Sequence, residues 1–283
     1  MMHDQLVADR PTEETEDRSA KNLRRSSETS PGKRSKGSPS RWPSTRTTFI
    51  AVLGAYMALT AAVVLGSPLD VIDRAAAMSD LARRFPDAAP WVLHYVVLGQ
   101  RGPSSHVAFV YLAWRAVRQR SWRPLVLLVT ALTMLNLTVG TVKIAIGRLG
   151  PALTMHPRAV FDGGDIFPSG HTSNAVVIFG VVAMVAVEHR KAMVALAVTV
   201  ATTVGLSTIF LDTHWVTDVL GGWFAGALVL LALPMTYARL EQWALRMTQT
   251  VKQWFSPRPK PATWESVQHD VKSDLFTEDA MSR

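Results

Sequence analysis

The sequence predicts an all-α integral membrane protein with six membrane-spanning helices between disordered polar tails. Three observations carry this. Apolar residues gather into six runs, each near the roughly 20 residues needed to cross a bilayer as a helix. The 283-residue chain is 48% hydrophobic, yet two polar ends hold its mean hydropathy at only +0.14. Its basic residues fall in alternate connections, as topology requires. The net charge of +8 therefore points to membrane lipids as partners rather than nucleic acid. The absence of cysteine excludes disulfides, thiolate metal sites and a thiol nucleophile.

Residues 1–46 are rich in Ser, Thr, Pro, Arg and Lys and lack apolar periodicity, which predicts a disordered basic arm. Residues 47–236 form the membrane domain. Its first span is Thr48–Leu65. Residues 67–90 carry Asp70, Asp73, Arg74, Asp80, Arg83, Arg84 and Asp87 and read as a loop with an amphipathic surface helix. The second span, Trp91–Trp114, is interrupted by Gln100-Arg101-Gly102-Pro103. Pro124–Ile146, His171–Val187, Ala192–Leu211 and Trp215–Met235 complete the six. Residues 237–283 return to polar composition as a cytoplasmic tail with an amphipathic start.

Orientation follows from the basic residues. Between Arg18 and Arg46 stand nine Lys or Arg and one acidic residue. Arg115, Arg118, Arg120 and Arg123 follow span two, Arg190 and Lys191 follow span four, and Arg239 and Arg246 follow span six. Crossing parity puts all of these on one side, which the positive-inside rule makes the cytoplasm. The expected location is the cytoplasmic membrane with both termini inside. The same parity delivers Lys143, Arg148, Ser169-Gly170-His171, His214 and Asp218 to the outer surface. Ionisable groups at a membrane boundary more often mark function than packing.

His214 and Asp218 are four apart, one helical turn. A carboxylate there can hold one imidazole nitrogen and leave the other as a directed nucleophile or base. Alone, a His/Asp pair at this spacing is more often two interfacial polar residues with no shared role. Pro168-Ser169-Gly170-His171 opens a span, where unpaired helix N–H groups favour a phosphate, Ser169 adds a hydroxyl and His171 can protonate a leaving oxygen. An ordinary N-cap has the same appearance. Lys143 can neutralise phosphate charge or simply snorkel. The constellation is more specific than its parts.

Taken in order, Lys143-(x6)-Gly150-Pro151, Pro168-Ser169-Gly170-His171 and Ser207-Thr208-(x5)-His214-(x3)-Asp218 resemble the three motifs of the type 2 phosphatidic acid phosphatase superfamily, K-x6-R-P, P-S-G-H and S-R-x5-H-x3-D. The resemblance spans roughly residues 48–236. It implies a phosphatase that needs no metal or other cofactor and works through a phosphohistidine intermediate. His214 is then the nucleophile, Asp218 its orienting partner and His171 the general acid, while Lys143, Ser169 and the Gly170 N–H hold the phosphate. It also implies an amphiphilic phosphate ester or anhydride as substrate, acted on at the outer face. Polyprenyl pyrophosphate, phosphatidate, phosphatidylglycerol phosphate and a sugar-linked lipid phosphate all fit. Phosphotransfer to an alcohol, non-catalytic binding of lipid phosphate and a soluble haloperoxidase-type relative are the alternatives. Continuous apolar spans oppose the last. Nothing in the sequence indicates an oligomeric state.

Two departures stand out. The family's motif arginines are replaced by Gly150 and Thr208, which removes two charge-assisted donors. Arg148, two residues before the expected position, is the first expected substitute, Arg101 the second and Arg158 a third. His94, His106 and His156 lack partners at metal spacing, and Asp162 with Asp165 makes only a weak case for a cation. The tryptophans mostly suit interface belts.

Overall fold

The computed structural model describes residues 44–255. The arm through residue 43 and the tail from residue 256 onward lie outside the described residues, while residues 237–255, expected to open the tail, continue the last helix. The described chain is helical without strands.

α1 (Thr45–Leu65) is the first apolar run and ends where Gly66 takes φ +82°. The charged stretch after it folds into α2 (Leu69–Met78) and a single turn, α3 (Leu81–Arg84). α2 is amphipathic as expected, but its buried residues are Asp70 and Asp73. Its two aspartates, not its apolar side chains, turn inward, while Arg74 stays exposed.

The second apolar run is not one helix. It divides into α4 (Ala89–Tyr95), a 3-10 turn (Val96–Gly99) and α5 (Arg101–Gln119). Gln100 is extended, with ψ 135°, and Arg101-Gly102-Pro103 opens a new helix. Proline fits a first turn because its missing N–H would be unpaired there in any case. The expected span 91–114 is thus replaced by a helix that starts ten residues later and ends at Gln119. Gly99 permits the break. A Cβ there would lie 2.6 Å from Val204 and 2.8 Å from the carbonyl of His171, so only glycine lets the turn pack against that helix start.

α6 (Arg123–Ile146), α7 (Gly170–Val185), α8 (Arg190–Phe210) and α9 (Val216–Phe255) follow. α6 stops at Gly147, whose φ of +55° suits a glycine C-cap. α7 is the hub, packing on α5, α6, α8 and α9, while α9 also packs on α1 and α6. Leu112, Leu128, Leu135, Val177, Ile178, Val181 and Leu233 meet in the main core.

Among the described residues, four helices are long and apolar enough to cross a membrane: Thr45–Leu65, Arg123–Ile146, Arg190–Phe210 and Val216–Trp243. Ala89–Gly99 and Gly170–Val185 are shorter apolar helices. The expected fourth span, 171–187, falls short because the chain turns extended at Ala186, with ψ 122°. α5 has the length, but Arg101, His106, Arg115 and Arg118 make it polar. The molecule is therefore an all-helical membrane protein in which two of the six expected crossings are short or polar.

Candidate active site

One cavity of about 330 Å³ is lined by Gly99, Gln100, Arg101, Lys143, Asp165, Ile166, Gly170, His171, Asn174 and His214. Its wall comes from the last turn of α6, the 3-10 turn and the start of α5, the loop before α7 with the first turns of α7, and the loop before α9. The sequence reading expected Lys143, Gly170, His171, His214 and Arg101 to share one end of the bundle, and the structure brings these five to one cavity.

The two histidines face each other with ring centroids 6.3 Å apart at 68°. His214 is not on the helix that holds Asp218, since α9 begins at Val216. Asp218 sits in the first turn of α9, and its carboxylate reaches back. Oδ2 accepts the Trp215 N–H at 2.9 Å and lies 3.5 Å from His214 Nδ1. Both His214 and Asp218 are buried, at 8% and 0% exposure. Nδ1 thus faces the carboxylate, and Nε2 is the ring nitrogen left for chemistry.

Lys143 lies over the start of α7. Its Nζ donates to the Asp165 carbonyl, and a Cβ on Gly170 would stand 3.8 Å from it. An anion at that helix start would meet both the ammonium and the unpaired N–H groups. Ser169 is the N-cap of α7 and is fully buried. Its Oγ accepts from the Thr172 N–H at 3.4 Å and the Thr172 hydroxyl at 3.0 Å, and its own N–H donates to the Asp218 carbonyl at 2.9 Å. Ser169 thus joins the two helix starts and does not line the cavity.

The arginines need the largest correction. Arg148 was expected to meet phosphate, but it is fully buried outside the cavity wall with its donors occupied. Nε donates to the Pro157 carbonyl at 2.9 Å, Nη1 to Thr217 Oγ1 at 2.7 Å and Asp218 Oδ1 at 2.5 Å, and Nη2 to Asp73 Oδ2 at 2.8 Å. Two carboxylates outcompete solvent for it, so it faces the protein interior. Arg158 pairs with Asp70 and is also absent from the wall.

The guanidinium at the cavity is that of Arg101. Asn136 Oδ1 accepts from Nη1 at 2.6 Å and Asn174 Oδ1 from Nε at 3.5 Å. Asn174 is fixed in turn, donating from Nδ2 to the Gly99 carbonyl at 3.2 Å. Neither position that holds a motif arginine in the family adds charge here. Thr208 is buried and bonds the Gly205 carbonyl at 2.7 Å. A side chain at Gly150 would start 3.5 Å from Ile166, at the cavity edge.

Sequence reasoning missed Asn136, Asn174 and Asp73, and weighed Asp165 only as a weak cation ligand. A signal existed for two of them. Asn174 lies one turn after His171, and Asn136 is an amide inside an otherwise apolar run two turns before Lys143. Among the described residues, no three His, Asp or Glu side chains group as metal ligands.

Comparison with known proteins agrees with the motifs. A family model, PAP2 superfamily, matches residues 124–242. Phosphatidylglycerophosphatase B of Bacillus subtilis (strain 168) is 40% identical over 70 residues, which are 22% of this chain and 34% of that protein. The match spans about a third of that relative's length. The crystal structure described as the first transmembrane PAP2 type phosphatidylglycerolphosphate phosphatase from Bacillus subtilis superposes with a TM-score of 0.58 at 24% identity, covering 68% of this chain and 96% of that one.

Proposed function

We propose, for a chain whose residues 124–242 match a PAP2 superfamily model, that it is a lipid phosphatase acting through a phosphorylated His214. The observation that carries this is the cavity in which His214, His171, Lys143 and Arg101 meet at the start of α7 with Asp218 behind His214.

Phosphate oxygens are held by the Lys143 ammonium, the Arg101 guanidinium and the N–H groups at Gly170. His214 Nε2 attacks phosphorus, and the bond to the leaving oxygen breaks as His171 gives that oxygen a proton. The phosphorylated imidazole keeps its Nδ1 proton toward Asp218, which stabilises the positive ring. His171, now neutral, takes a proton from water as it attacks phosphorus. Inorganic phosphate leaves, and His214 is restored. The substrate is an amphiphilic phosphate monoester or pyrophosphate, since the cavity opens at the end of apolar helices, where headgroups lie. The similarity to phosphatidylglycerophosphatase B supports a glycerophosphate headgroup first. Purified full-length protein should release phosphate from phosphatidylglycerol phosphate in excess chelator. No release from that lipid, phosphatidate or polyprenyl pyrophosphate would defeat the reading.

The cavity faces away from the cytoplasm in this proposal, because Arg118, Arg120, Arg123, Arg190 and Lys191 occupy the opposite helix ends. The chain has no cysteine, so single ones report cleanly. Leu153→Cys, in a loop on the cavity side and 77% exposed, should react with an impermeant thiol reagent in intact cells, and Ser121→Cys should not. The reverse pattern would invert the topology.

Arg101 takes the place of the missing motif arginines. Arg101→Ala should lower turnover by roughly a hundred- to a thousandfold, the effect of losing one preorganised donor to transition-state charge. Arg101→Lys should recover part, because an ammonium cannot donate as a planar fork. Wild-type turnover in Arg101→Ala would remove it from the phosphate site.

A further inference from the structure

We infer that Asp73 and Arg148 form a buried strut that positions Asp218 against His214 and sets the charge His214 experiences. This makes Asp73, which lies outside residues 124–242, a working part of the site. The inference rests on the phosphohistidine reading for its kinetic consequence, but not for its electrostatic one.

The side chains of Asp73, Arg148 and Asp218 are all completely buried as an acid–base–acid series. A carboxylate held by one donor can rotate about its Cβ–Cγ bond. Asp218 is held by two, with Arg148 on Oδ1 and the Trp215 N–H on Oδ2, which fixes the carboxylate with Oδ2 3.5 Å from His214 Nδ1. Arg148 must itself be fixed for this to work. Asp73 fixes it: Oδ2 accepts from Arg148 at 2.8 Å and from the Thr217 hydroxyl at 2.6 Å, while Oδ1 takes the Thr217 N–H at 2.9 Å. Asp73 thereby also caps α9, reaching from α2 to satisfy a helix-start donor. The guanidinium lies 5.6 Å from the centre of the Trp215 ring, and that indole N–H donates to the Leu149 carbonyl at 2.9 Å.

Charge counting gives the strut its purpose. Two carboxylates and one guanidinium sum to −1. Arg148 and Asp218 alone would sum to zero and attract a positive imidazole little. With Asp73 the residual negative charge sits beside His214 and is matched once the ring is phosphorylated with its Nδ1 proton in place. Buried ion pairs seldom raise stability above a well-packed apolar replacement, so stability alone accounts poorly for three buried charges.

The test uses Asp73→Asn, which keeps shape and one acceptor but loses the charge. Turnover should fall on the order of tenfold or more, as when an outer partner of a functional imidazole is removed. KM for the lipid phosphate should stay unchanged, since Asp73 does not touch substrate. Independently of catalysis, ¹⁵N NMR of labelled imidazoles should show His214 titrating at lower pH in Asp73→Asn than in wild type. The other ionisable groups facing His214 are unaltered: Asp218 on α9, His171 on α7, Lys143 on α6, Arg101 on α5 and Asp165 in the loop before α7. A folded Asp73→Asn protein with wild-type turnover and an unmoved His214 titration overturns the inference. So does a turnover loss that only tracks the folded fraction. If Asp73→Asn does not fold, Thr217→Val decides. It removes the hydroxyl that bonds both Arg148 and Asp73, and it should lower turnover with KM unchanged; full turnover counts against the strut. A wild-type protein that hydrolyses no lipid phosphate defeats the functional reading, whereas the His214 titration still decides the strut.

Discussion

Replacing His214 with alanine is expected to lower turnover by roughly 10⁴- to 10⁶-fold, the scale seen when a covalent nucleophile is removed and only binding and charge stabilisation are left. His214 and His171 are the imidazoles lining the cavity, and Nδ1 of His214 has a carboxylate 3.5 Å behind it. Attack by Nε2 splits hydrolysis into two easier displacements, and of the two imidazoles only His214 has the Asp218 carboxylate behind it. Lys143 is engaged with the Asp165 carbonyl, and Arg101 is always protonated. Folding should survive, because removing the ring opens space toward an existing cavity. The check is phosphate release alongside rapid acid-free quenching with radiolabelled substrate. Wild type should yield a phosphoprotein stable in alkali, and His214→Ala should yield none. Substantial turnover in a folded His214→Ala protein would move the nucleophile elsewhere and undo the two-step scheme.

Much of the site could be read from spacing because its parts lie at helix ends, where crossing parity is enough to bring them together. Lys143, Gly170, His171 and His214 needed only the count of apolar runs and the motif resemblance. The arginines were harder. Arg148 stands two residues from a family phosphate ligand, and proximity in sequence suggested proximity to phosphate. A side chain's direction, however, depends on what competes for it. Asp73 offers a buried carboxylate from a segment 75 residues away, a contact no local pattern signals. The same ignorance made α2 look like a surface helix. Its charged face was expected in water, but burying Asp73 is tolerable only because Thr217 and Arg148 satisfy it, and neither partner is visible from residues 69–78. The second apolar run failed for another reason. Gly102-Pro103 signalled a break, but proline both ends and begins helices. Only the packing of the 3-10 turn on α7 decides that it begins one, placing Arg101 at the cavity.

Arg148→Ala should destabilise the protein by about 3–5 kcal/mol, the cost of breaking a buried pair from one side. Its removal leaves two fully buried carboxylates without their cation and the Pro157 carbonyl without its partner. The cost should depend on pH, and its sign can be worked out. Burial already pushes the Asp73 carboxyl above its ordinary range, against the hydrogen bonds from Thr217 and the charge of Arg148 that pull it down. Without Arg148 one of those downward influences is gone, so the folded variant holds a proton on Asp73 that the unfolded chain has lost. A folded state that binds more protons gains stability as pH falls, so the deficit should shrink on acidification and be largest in the neutral to alkaline range. Thermal unfolding in detergent, wild type against variant from pH 5 to 8, measures this directly. Adding Asp73→Asn to Arg148→Ala should recover part of the loss, because the added substitution removes one stranded charge, whereas Asp73→Asn alone should destabilise. That reversal of sign is the mark of coupling between contacting groups. If the two substitutions simply add, Asp73 and Arg148 act independently and the strut has no energetic basis. If the Arg148→Ala deficit grows as pH falls, the stranded carboxylates are not its cause.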